Sequence, residues 1–129
     1  MSEHYGPDTL DRIVNGYITT ALWAETGESD PETGGEPLNV NYGPDDLSED
    51  FMRQAREDCA GMADTPDLRA YLQYQDAFCF GHDFWLTRNG HGAGYWDRGL
   101  GELGDRLTAM AKPYGSVDLY VGDDGRIYS

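Results

Sequence analysis

The chain has 129 residues, the size of one ordinary domain, and its 12% aromatic content argues for a packed core over disorder. Asp and Glu number 24 against 9 Lys and Arg, for a formal net charge of −15. That balance excludes a protein that grips nucleic-acid phosphates through Lys and Arg, and it disfavours anionic membrane surfaces.

The acid is uneven. Residues 1 to 70 hold 16 acids and 4 bases, whereas residues 71 to 129 hold 8 and 5. In the first half, Asp8 or Thr9 can cap a helix on which Leu10, Ile13, Val14, Tyr17, Ile18, Ala21 and Leu22 recur at three- and four-residue spacing. Gly16 is the weak point of that stripe. Thr26 to Pro37 (TGESDPETGGEP) reads as a loop, and Leu38 to Tyr42 as a short extended piece. Ser48 is an N-cap for a second helix, with Glu49 and Asp50 in its first turn and Phe51, Ala55, Cys59 and Met62 on one face. Thr65 and Pro66 start a third helix that turns Leu68, Tyr71 and Leu72 inward.

The second half changes character. Phe78 to Thr87 (FCFGHDFWLT) is aromatic-rich and predicts a strand, breakable at Gly81. Asn89 to Gly94 reads as its turn and Tyr95-Trp96 as the return, so a hairpin is expected. Leu100, Leu103, Leu107, Met110 and Ala111 mark a further helix, ended by Pro113 and Gly115. Val117, Leu119 and Val121 then alternate with polar or aromatic positions, and Gly122-Asp123-Asp124-Gly125 turns into Arg126-Ile127-Tyr128 as a C-terminal hairpin. The expectation is a single acidic α+β domain over 1–129: residues 1–75 mainly helical, residues 76–129 hairpin, helix, hairpin.

Chemistry concentrates in Gly81 to Arg98, GHDFWLTRNGHGAGYWDR. His82, His91 and Asp97 could supply a two-histidine, one-carboxylate metal site, but the spacing matches no standard zinc pattern. An imidazole that stiffens a glycine-rich turn is the preferred reading, so no metal, cofactor or catalytic residue is assigned. Gly90, Gly92 and Gly94 are referred to tight packing beneath Trp85 and Trp96 in preference to a bound ligand. Cys79 lies three residues before His82, which allows a thiolate–imidazole pair, though a cysteine between Phe78 and Phe80 in a strand is usually inert core. No nucleophile elbow, phosphate loop or dinucleotide fingerprint occurs. Asp123-Asp124-Gly125 is read as a turn, because a calcium-loop ligand frame is missing.

The stretch from Gly81 through the GSVDLYVGDDGRIY tail resembles a family of small, functionally unassigned proteins of tailed phages and prophages. The resemblance covers roughly the last fifty residues. It implies a phage-type origin and transfers no catalytic residue.

Neither a signal-peptide pattern nor an apolar run of about 18 residues is present, so a cytoplasmic setting in an infected or lysogenic cell is expected. Cys59 and Cys79, outside any CxxC, are read as buried thiols in preference to a disulfide. The charge itself has three readings. It serves solubility, or halophilic adaptation (Lys112 is the only lysine), or it imitates nucleic acid. In the last, carboxylates replace phosphates in the cationic groove of a basic nucleic-acid-binding partner such as a restriction or CRISPR effector. The candidate partner-binding residues are Glu25, Glu28, Asp30, Glu32, Glu36, Asp45, Asp46, Glu49, Asp50, Glu57 and Asp58, all expected to be exposed. A non-enzymatic inhibitor of this kind is the leading expectation. Its alternatives are a non-mimetic interaction or structural phage protein, and a small metal-dependent enzyme using His82, His91 and Asp97.

Overall fold

The computed structural model describes residues 7–24, 42–90, 94–97 and 99–129. Pro7–Ala24 forms α1, with all seven apolar positions of its predicted stripe buried. The helix starts at Pro7, so Asp8 lies within its first turn instead of capping it. Glu49–Ala63 forms α2, whose N-cap Ser48 accepts the Phe51 N–H on its Oγ at 3.1 Å. Pro66–Tyr71 forms α3, capped by Thr65, with Leu68 and Tyr71 fully buried and Leu72 partly so.

The aromatic segment corrects the expectation. Ala77–Arg88 is not a strand but a helix, α4, and the first predicted hairpin does not form. Asp76 caps it by accepting the Cys79 N–H at 2.8 Å. Asn89 closes the other end, followed by Gly90 at φ 71, a left-handed position that favours glycine. The Asn-Gly pair read as a hairpin turn is thus a helix terminus. Tyr95–Asp97 makes a 3-10 turn where the return strand was expected.

Burial explains the choice of helix. Nine of the twelve α4 residues are buried, because α1, α5 and the flanking turns surround it. A helix apolar on all sides carries no amphipathic period, and its aromatics imitate strand propensity. The crossing of α1 and α4 passes through two glycines. A Cβ on Gly16 would collide with the Phe78 carbonyl oxygen, and one on Gly81 with the Ile13 carbonyl oxygen. Gly94 is packed too, its Cβ position lying against the Thr87 hydroxyl and the Trp96 ring.

Glu102–Ala111 forms α5, with Leu103, Leu107 and Ala111 buried. Tyr120–Val121 (β1) and Ile127–Tyr128 (β2) pair antiparallel, Tyr120 opposite Tyr128 and Val121 opposite Ile127. This hairpin is shorter than the alternation from Val117 predicted. It is tied to the start of α2 by a Leu47–Ile127 bridge and by the Ser48 N–H on the Ile127 carbonyl at 2.9 Å. The fold is α+β: five helices and a small two-stranded antiparallel sheet, with the buried apolar side chains in one cluster. Among the described residues, no helix is long and apolar enough to cross a membrane.

Candidate functional site

The predicted partner-binding carboxylates divide into three groups. Glu25, Glu28, Asp30, Glu32 and Glu36 lie outside the described residues, as do Leu38 to Asn41 of the predicted extended piece. Asp45, Glu49, Asp50 and Glu57 are exposed. Asp46 is half-buried, its Oδ2 accepting the Gly43 N–H at 2.8 Å. Glu49, Arg53 and Glu57 follow at four-residue spacing along α2, and Arg53 pairs with Asp50 at 2.7 Å across open solvent.

Asp58 corrects the expectation of exposure. Its side chain is only 12% exposed, Oδ1 takes the Gln54 amide at 2.8 Å, and Oδ2 takes Arg88 Nη1 at 2.8 Å. It belongs to the interior. Arg88 in turn donates to the Tyr17 hydroxyl at 2.8 Å and to the carbonyls of Gly115 and Tyr114 at 2.8 and 2.7 Å. Its guanidinium lies over the rings of Phe84 and Tyr114, 5.4 and 5.6 Å from their centroids. Burial pushes the Tyr17 hydroxyl and the Cys59 thiol well above their ordinary ranges, and Arg88 acts against both.

Glu49 and Asp50 meet the C-terminal hairpin at an open cleft of about 360 Å³, lined also by Ser48, Asp124, Arg126 and Tyr128. The Tyr128 hydroxyl donates to Asp124 Oδ2 at 2.5 Å, and the Arg126 N–H donates to Oδ1 at 3.0 Å. Those two bonds hold the Asp124 carboxyl below the usual range. Asp124 is the acidic residue that the sequence reading set aside as part of a turn. Its place beside α2 depends on the Leu47–Ile127 bridge, which no local pattern announces.

The second constellation is reordered by the change from strand to helix. His91 and the side chain of Asp97 lie outside what is described. His82 and Asp83 do not point to opposite faces of a strand; they are neighbours on α4, with His82 Nδ1 3.3 Å from Asp83 Oδ1. Asp83 is fully buried and takes the Tyr71 hydroxyl on Oδ2 at 2.6 Å. Among the described residues no three His, Cys, Asp or Glu side chains are grouped to hold a metal ion. Cys59 is buried, Cys79 is half-buried, and neither is in a disulfide.

No protein-family model, curated protein or solved structure matches this chain.

Proposed function

We propose that this chain is a non-catalytic acidic binding protein that occupies the cationic, nucleic-acid-binding face of a basic partner. The observation that carries the reading is the meeting of Glu49 and Asp50 from α2 with Asp124 from the hairpin around one open cleft. Pairing consumes acids and bases in equal number, so the net charge of −15 leaves a large carboxylate excess however the ion pairs form. Such a surface attracts a basic partner quickly, and salt weakens the attraction. The resemblance of the second half to tailed-phage proteins favours a host defence protein, a restriction or CRISPR effector, as the partner.

The test is a pull-down from a host lysate, washed across a salt gradient and with competing DNA. A single basic nucleic-acid-processing protein, released by salt and by DNA, is the expected result. Triple reversal of Asp45, Glu49 and Glu57 to Lys abolishes capture, whereas Asp58 is left intact because it holds the core. Capture that survives the reversal sinks the proposal. Exposed Trp23, Tyr74, Trp96 and Tyr120 favour a second reading, a partner held by apolar contact. That reading predicts a complex indifferent to salt.

A further inference from the structure

α4 is enclosed along its length and meets solvent over one stretch. Between Ala77 and Arg88, the half-exposed residues are Phe78, Cys79 and His82. Two of these three carry chemistry. Three residues apart on a helix, Cys79 and His82 share a face, with Cβ atoms about 5–6 Å apart. Helical side chains lean toward the N-terminus, which carries the imidazole back over the turn that holds the thiol. Behind the imidazole stands Asp83, fully buried and steadied by the Tyr71 hydroxyl. With Nδ1 facing Asp83 at 3.3 Å, Nε2 is the ring nitrogen turned away from the carboxylate. Trp23 of α1 stacks on the same ring at 6.2 Å between centroids.

We propose that Cys79, His82 and Asp83 form a reactive-thiol site, open through this window, whose substrates are small soft electrophiles, above all low-molecular-weight disulfides. His82 takes the thiol proton on Nε2, and Asp83 holds the imidazolium so formed. The Cys79 thiolate attacks one sulfur of the disulfide; that S–S bond breaks as the mixed disulfide forms, and the departing thiolate takes the proton from His82. Surrounding groups act in both directions. The first turn of α4 and the His82–Asp83 pair favour the thiolate, and the capping carboxylate of Asp76 opposes it. Tyr71 from α3 and Trp23 from α1 bring no charge. The site is independent of the acidic surface, and the two proposals stand or fall separately.

Cys59 supplies an internal control, since it is fully buried and its thiol is pushed up by that burial. The full chain is treated with a chromogenic aromatic disulfide at neutral pH, and the modified cysteine is located by peptide mass spectrometry. Cys79 reacts at least about tenfold faster than the same cysteine in an unstructured peptide of residues 76–83, and Cys59 stays unmodified. In His82→Gln the rate falls to that of the peptide while far-UV circular dichroism is unchanged. A wild-type rate no greater than the peptide's overturns the proposal without any variant. Equal rates in wild type and His82→Gln overturn the role of the imidazole and with it the site.

Discussion

Arg88 holds a permanent charge with 5% of its side chain exposed, and Asp58 is the one carboxylate the structure pairs with it. A buried guanidinium left without its counter-charge keeps its desolvation penalty and loses the compensating attraction. Asp58→Asn, nearly the same shape, is therefore expected to lower unfolding stability by about 3–5 kcal/mol. Asp45→Asn and Glu57→Gln, on exposed positions, stay within about 0.5 kcal/mol. Urea unfolding of the three variants checks this, and equal shifts would mean that water reaches Arg88. The same neighbourhood sets an alkaline limit. Burial raises Cys59, Tyr17 and Tyr95 above their ordinary values of 9.0 and 10.0, so the unfolded chain loses these protons first. Above those values the folded state binds more protons than the unfolded state, and stability falls as pH rises. Full stability below pH 9.0 and a falling urea midpoint above it are the expected result.

At the scale of the element, the α1–α4 crossing makes a sharp prediction. Alanine is the better helix former, by about 0.5–1 kcal/mol over glycine, so propensity alone says that Gly81→Ala stabilises. The Ile13 carbonyl stands where the new methyl would go, and backbone cannot step aside as a side-chain tip can. Gly81→Ala is expected to exceed the roughly 1–3 kcal/mol of an ordinary overpacked core and to reduce folded yield. A neutral or raised melting temperature would show that the helices part easily.

The same crossing shows what a single sequence reveals. α1, α2, α3 and α5 each bury one stripe against solvent, so the spacing of Ile13 and Tyr17, of Phe51 and Ala55, and of Leu103 and Leu107 was readable. α4 buries nearly all of itself, and periodicity vanishes where no face meets water. The usable signals were its ends, Asp76 and Asn89-Gly90, which enclose twelve residues, long for a strand. The candidate site was legible in part. Glu49 and Asp50 are where a helix start places them, whereas Asp58 looks like its exposed neighbours until Arg88 is brought beside it from thirty residues away. Asp124 joins the cleft only through a long-range bridge.

For the molecule as a whole, a net charge of −15 works against compactness through self-repulsion. Added salt screens that repulsion, with a Debye length of about 10 Å at 0.1 M and about 30 Å at 0.01 M. The melting temperature is therefore expected to rise as sodium chloride goes from the lower to the higher of these strengths. A flat response by calorimetry would mean that the carboxylates are spaced too widely to repel. The enclosed helix gives this charge a second consequence. Before α1 and α5 close over it, the run from Phe78 to Trp85 is a sticky surface on an incomplete chain, open to association with its like. Chains of the same strong sign keep their distance during that interval, so the kinetic competition between folding and clumping is tilted toward folding. Refolding in rising salt then carries two opposed effects, a more stable product and a lower yield of it. Light scattering during refolding, set beside the equilibrium melt, separates them.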